Sequence, residues 1–306
     1  MIETRSVEAR KTIGLTTAAA YLRLARPKQW IKNGFVFAGL IFAGEASHPA
    51  SIALALLTFI AFCALSGATY AANDALDAPG DRKHPTKRKR PVASGEISVP
   101  AAVLFAALLG GGGLVLAFFV GQWVGVAGAA YLALQALYTP FLKHKAILDV
   151  MSISGGFVIR ALAGVAAVES PRGISPWLIV CTGLLTLFLG FSKRRYELYV
   201  LGEEEQGAQR AYRRNLKDYS VEMLDQMMNI MLSATIIAYS MYTFFVYNRA
   251  YMMASIPFVV YGVFRYMLLV HREGGGDPDT LLLRDRPLQI TLLLWLGVVM
   301  VNIYLF

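Results

Sequence analysis

Residues 73–81 of the chain, Asn73-Asp74-Ala75-Leu76-Asp77-Ala78-Pro79-Gly80-Asp81, hold four oxygen-bearing side chains that can bind a metal. The next nine residues, Arg82 to Arg90, hold six Lys and Arg. Hard oxygen ligands with no Cys and little His suit Mg²⁺, an ion normally shared between one or two carboxylates and substrate phosphates. The basic half suits the rest of a polyphosphate. Asn73, Asp77 and Asp81 are spaced i, i+4, i+8, which stacks them on one face of a helix. Pro79 and Gly80 predict fraying at that helix end, freeing Asp81 to turn inward. A solvated helix end is the plainer account of the acids. Acids directly after about twenty apolar positions are costly, however, and tend to be functional. A topology signal is the plainer account of the basic run, and it is compatible with phosphate binding.

Further candidates lie elsewhere. Lys28 and Lys32 fall on one face of Arg26-Pro27-Lys28-Gln29-Trp30-Ile31-Lys32-Asn33, with snorkelling anchors as the alternative reading. Asn33, at the start of a span, is harder to dismiss. Arg160 sits roughly midway along an apolar run, where an arginine needs a partner or an anionic ligand, and is expected to face an internal cavity. Tyr138 and Lys143 close another run, with Asp149 just beyond. Lys193-Arg194-Arg195-Tyr196-Glu197 closes a third, and Glu203-Glu204-Glu205 follows in a stretch, 203–216, that reads as a polar surface helix. Arg265 lies close to the end of its run and can snorkel. Glycines 110–113 read as close helix packing and glycines 274–276 as a flexible turn.

The elements that must position these groups are membrane helices. The chain has 306 residues, 56% of them hydrophobic and 16% charged, with mean hydropathy +0.51. Soluble domains carry about 25% charged residues. Several apolar runs approach the ~20 residues that cross a bilayer, and none alternates like a barrel strand. The reading is an all-α integral membrane protein, a single transmembrane domain over 1–306. Nine spans are predicted, at about 29–44, 51–73, 99–120, 123–141, 146–168, 175–192, 223–247, 250–270 and 287–306. Residues 1–25 read as a cytoplasmic, weakly amphipathic lead-in with no cleavable signal peptide.

Sidedness supports this count. With the N-terminus inside, the loops 74–98, 142–146, 193–222 and 271–286 are cytoplasmic and collect nearly all Lys and Arg. The outer loops hold only Arg172 and Arg249. The net charge of +9 therefore reports topology and not nucleic acid. Cys63 and Cys181 lie inside apolar runs and read as core residues.

Asn73-Asp74-x-x-Asp77-x-x-x-Asp81 resembles the first acidic motif of the UbiA-type intramembrane prenyltransferase superfamily. That resemblance implies nine transmembrane helices around a central cavity opening to the cytoplasm, and diphosphate bound through Mg²⁺. Arg26 to Asn33, Asp81 to Pro91 with Gly95, and Lys193 to Glu197 are similar to one branch, the decaprenyl-phosphate phosphoribosyltransferases. Where aromatic prenyltransferases carry a second Asp-rich motif, after the sixth span, this chain has Lys-Arg-Arg-x-x-Glu. The departure weakens an aromatic-prenylation reading.

The resemblance implies a 5-phosphoribosyl 1-diphosphate donor and a polyprenyl phosphate acceptor, joined in a bacterial inner (plasma) membrane for cell-envelope arabinan synthesis. Asn73, Asp77 and Asp81 would hold Mg²⁺ against the leaving diphosphate, and Asp74 would contact ribose or a second ion. The acceptor phosphate is already ionised and needs no strong base. Two unit charges 4 Å apart repel by about 4 kcal/mol at an effective dielectric near 20, so several cations must offset them. Lys193, Arg194 and Arg195, with Glu197 beside them, are candidates for one phosphate. Arg82, Lys87 and Arg90 are candidates for the donor. Lys28 and Lys32 suit either substrate, Arg160 the cavity floor, and Tyr138 and Lys143 a phosphate or sugar. An aromatic prenyltransferase and a lipid-phosphate transporter are the rival readings. Homo-oligomerisation is left open.

Overall fold

The computed structural model describes residues 18–168, 175–203, 214–245, 249–272, 281 and 284–305. Residues 204–213 and 273–280 fall outside this set, and with them most of the expected surface helix and glycines 274–276. So do Arg172 and all but the last eight residues of the expected lead-in.

Helix α1 covers residues 18–25. The first span is not one regular helix. A 3-10 stretch, Pro27–Phe35, runs into α2, Val36–Phe42. Then follow α3 (Pro49–Asp81), α4 (Val99–Val120), α5 (Gln122–Tyr138), α6 (Leu148–Ala167), α7 (Pro176–Glu203) and α8 (Val221–Phe245). A short turn of helix, α9 (Arg249–Met252), leads through Met253–Ser255 into α10 (Ile256–Arg272), and α11 (Arg286–Leu305) ends the fold. Among the described residues there is no strand. Seven of these helical segments are individually long and apolar enough to cross a membrane. The 17 residues of α5 and the broken first span complete the nine.

Local chemistry explains the boundaries. Pro49 opens α3 in the first turn, where its missing N–H costs nothing. Ser98 caps α4 by accepting the Ala101 N–H. Asp285 caps α11 through the Leu288 N–H at 2.8 Å. The same carboxylate takes Arg265 Nε and Nη2 at 3.2 and 2.8 Å, so Arg265 is tied into an ion pair and does not simply snorkel.

Two helices outrun their predicted spans. The 33 residues of α3 measure ~50 Å against a hydrocarbon core of ~30 Å. The helix does not fray at Pro79 but continues through it to Asp81. The ladder resumes at once, with the Arg82 N–H donating to the Ala78 carbonyl. Buried Ala78 and Asp81 anchor that last turn. Likewise α7 carries Lys193 to Glu197 on its helix and not in a loop.

Helices α6, α7, α8, α10 and α11 meet around Val150, Phe188, Leu224, Met228, Tyr266 and Leu288. Helices α1, α3 and α4 enclose Leu24, Ala71, Ala75, Ala78 and Ala102 with Val92 and Ile97 of the intervening loop. Close packing by the glycines of α4 holds only at Gly113, where a Cβ would lie 3.0 Å from the Ala61 carbonyl. The tightest crossing is elsewhere, between α2 and α6. A Cβ on Gly164 would stand 1.9 Å from the Val36 carbonyl oxygen, and one on Gly39 2.3 Å from the Gly164 backbone. Both cysteines are free.

Candidate active site

The acids of the motif divide between two sides of α3. Four residues along a helix turn ~40° and eight turn ~80°, so Asp81 drifts off the face of Asn73 and joins that of Asp74. Asn73 and Asp77 line a cavity of about 810 Å³ between α3, α4 and α5. The Thr139 hydroxyl donates to Asn73 Oδ1 at 2.8 Å, and Lys143 Nζ stands 3.6 Å from Asp77 Oδ1. The Asp77 carboxylate is 43% exposed. Gln135 and His144 complete the polar end, and neither stood out in the sequence.

Asp74 and Asp81 face the other way, and both are buried. Arg26 Nη2 donates to Asp74 Oδ1 at 2.5 Å. Arg90 Nη1 reaches Asp81 Oδ2 at 2.7 Å and Asp74 Oδ1 at 3.1 Å. Arg26 has a left-handed backbone (φ 52°), and its guanidinium lies 5.0 Å over the Tyr70 ring. The structure thus does not bring Asp81 together with Asn73 and Asp77. It makes Asp81 half of a clamp that pins the basic loop to α1 and α3. Within that loop His84 Nδ1 accepts the backbone N–H groups of Thr86 and Lys87. Partial burial and the Lys87 charge hold the His84 imidazole below its ordinary range, which keeps that acceptor available. Arg82 is exposed and Lys87 half-buried. On the 3-10 stretch Lys28 is exposed and Lys32 half-buried.

A second network closes α7. Arg194 is 3% exposed and fully engaged, Nε to Asp149 Oδ2 and Nη1 to Glu197 Oε2, both at 2.6 Å. The expectation that Arg194 grips a substrate phosphate does not fit this burial between two carboxylates. Arg195 turns to Asp225 at 2.6 Å. Lys193 is half-buried, and Tyr138 lies in the field of Arg194. The Tyr219 hydroxyl donates to Asp149 Oδ1 at 3.1 Å and accepts the Ile147 N–H at 2.5 Å. Burial pushes Tyr219 up to about 12. Ile147 has φ 67°, a rare conformation for a β-branched residue, at the entry to α6. No sequence signal marks Tyr219.

Arg160 is 5% exposed. Its guanidinium donates to Asn33 Oδ1 (2.7 Å), the Gly156 carbonyl (2.8 Å) and the Tyr131 hydroxyl (3.1 Å), and lies 4.6 Å over the Tyr131 ring. Neutral oxygens and an aromatic face satisfy the buried cation, and it does not line the α3–α4–α5 cavity. Asn33 joins it to α3 by donating to Ser66 Oγ at 3.2 Å.

Among the described residues no three His, Cys, Asp or Glu side chains converge as a ready cage for a metal. Asn73 and Asp77 do offer two hard oxygens, one helical turn apart, into a shared cavity. That donor set fits an ion that completes its shell from phosphate and water.

Residues 34–296 match the UbiA prenyltransferase family. The chain belongs to that family. Its relatives within the UbiA family include the decaprenyl-phosphate phosphoribosyltransferase of Mycolicibacterium smegmatis, 32% identical over 98% of each chain. The protein of that name from Corynebacterium glutamicum is 31% identical, over 94% of this chain and 88% of its own. A UbiA homologue from Archaeoglobus fulgidus solved with GPP and Mg²⁺ superposes with a TM-score of 0.69. It is 19% identical and covers 93% of this chain and 99% of its own. At that identity it supports the nine-helix fold alone.

Proposed function

We propose that this membrane protein transfers 5-phosphoribose from 5-phosphoribosyl 1-diphosphate to a polyprenyl phosphate of the decaprenyl type. The products are polyprenylphosphoryl-5-phosphoribose, a precursor for envelope arabinan, and diphosphate. The observation that carries the reading is the near-full-length similarity to phosphoribosyltransferases of that name. The basic end of α7, in place of an acidic motif, supports it.

An acceptor phosphate oxygen attacks C1 of ribose. The C1–O bond to diphosphate breaks, and the leaving group takes the electron pair. Asn73 and Asp77 are the residues that would hold Mg²⁺, which when bound supplies neutralising charge to the diphosphate. Lys143, beside Asp77, brings a further cation to the same anions. Lys28, Lys32, Arg82, Lys87 and Lys193 are further candidate cations for the two substrates. Arg90 and Arg194 hold the scaffold through their carboxylate partners. The site lies at the cytoplasmic face of a bacterial inner membrane in this reading, as the Lys and Arg distribution supports.

The test is incubation of purified protein with ribose-labelled donor, polyprenyl phosphate and Mg²⁺. Lipid-soluble label is expected, along with stoichiometric diphosphate, and a chelator should stop both until Mg²⁺ is restored. Label entering lipid only from a prenyl diphosphate would overturn the reading in favour of an aromatic prenyltransferase.

A further inference from the structure

We infer that Tyr219 is a positioning residue, which holds Lys143 against Asp77 by bracing a strained turn at Ile147. The inference rests on the proposed reaction for one point, that a diphosphate collects beside those two side chains. Residues 139–147 join α5 to α6. They meet the site twice, at Thr139 on Asn73 Oδ1 and at Lys143, 3.6 Å from Asp77 Oδ1. Lys143 sits on a 3-10 turn, Leu142–His144, shortly before Ile147. Ile147 has φ 67° and ψ −52°, and the Leu148 N–H donates across it to the Ala146 carbonyl at 2.7 Å. That is the rare form of γ-turn, strained for a residue with a branched Cβ.

Such a backbone persists only where its surroundings over-determine it. Burial of the Ile147 side chain does not hold it, since that side chain is 39% exposed. Tyr219 supplies the bracing. Its hydroxyl accepts the Ile147 N–H at 2.5 Å and donates to Asp149 Oδ1 at 3.1 Å, while Arg194 Nε fixes Asp149 Oδ2 at 2.6 Å. The Asp149 N–H returns to the Lys145 carbonyl at 3.1 Å. Tyr219 and Leu216 are buried in the core shared by α6, α7, α8, α10 and α11. The turn Arg214–Asp218 that precedes Tyr219 lies against Leu142–His144. The core of five helices thus reaches Lys143 through one phenol. Without the hydroxyl, the Ile147 N–H loses its acceptor and Ile147 is released to negative φ. The backbone leading back to Lys143 then moves, and the ammonium no longer has a fixed place beside Asp77.

The experiment titrates full-length protein in nanodiscs with inorganic diphosphate and Mg²⁺ by calorimetry, because diphosphate is the leaving group whichever 1-diphosphate is the donor. Transfer of labelled ribose to lipid is followed in parallel. Lys143→Gln should weaken diphosphate binding about ten-fold and Tyr219→Phe about five-fold, as for loss of a charge-assisted contact and of its support. The double variant should bind no more weakly than Lys143→Gln, since the two residues act through one contact. Ile147→Gly, which takes positive φ without a Cβ penalty, should restore most of the binding lost in Tyr219→Phe. Tyr266→Phe is the control: its hydroxyl contacts Ser192 in the same core, and its loss should leave binding as in wild type. Wild-type binding in Tyr219→Phe overturns the inference, and so does wild-type binding in Lys143→Gln. Losses that add in the double variant, or that Ile147→Gly does not recover, do the same, since Tyr219 would then act through stability alone. Coupled losses of diphosphate binding without any transfer of ribose would leave Tyr219 in its role and sink the transfer reading.

Discussion

At the residue scale, one helix turn separates the acid proposed for chemistry from those that hold the scaffold. Asp77 is half-exposed beside a lysine, whereas Asp74 and Asp81 are buried under arginines. Asp77→Ala should therefore leave thermal stability within about 0.5 kcal/mol of wild type, the usual range for surface changes. Its transfer rate should fall by about 100-fold, as expected when charge stabilisation at a leaving group is lost. Unchanged turnover would remove Asp77 from the site. Arg194→Met makes the opposite prediction. Asp149, fully buried, would lose its cation, and breaking such a pair costs about 3–5 kcal/mol. The melting temperature should drop sharply, and adding Asp149→Asn should recover part of the loss. A single variant that melts like wild type would show that the pair does not hold α6 to α7. The sequence made the motif legible because nine residues concentrate its chemistry. It did not show which acids pair, because Arg26 and Arg90 lie 48 and 16 positions from Asp74 and meet it only after folding.

At the scale of elements, apolar run lengths located every span, and Pro49, Ser98 and Asp285 act at the boundaries as their chemistry predicts. The broken first span was not legible. Its reason lies in α6, where Arg160 takes the Asn33 side chain and Gly164 admits the α2 backbone. The extension of α7 past its predicted span was equally hidden, since charged residues there read as loop, whereas for α3 the spacing of Asn73, Asp77 and Asp81 indicated helix and only the fraying expected at Pro79 failed. The crossing of α2 over α6 yields a direct prediction. Gly164→Ala puts a methyl against the Val36 carbonyl, and the backbone must move. Overpacking of this kind typically costs about 1–3 kcal/mol, measurable as a lower thermal midpoint in detergent. Gly111→Ala, which meets nothing, should melt with wild type.

At the scale of the whole molecule, charge asymmetry and site position require each other. The proposed site, with two phosphorylated substrates, needs many cations at one end of the bundle, and the proposed cytoplasmic placement of that end follows the positive-inside bias. The basic loop 82–90 leaves the Asp81 end of α3, and His48 precedes Pro49 at the opposite end. The orientation is thus open to a two-site test on a variant lacking Cys63 and Cys181. Arg88 and His48 are both exposed, and neither belongs to the proposed site. In intact cells a membrane-impermeant maleimide should label His48→Cys and spare Arg88→Cys, and in inverted vesicles the pattern should reverse. Labelling of Arg88→Cys from outside would place the acids and cations in the periplasm. That outcome would remove the orientation on which the proposed transfer rests.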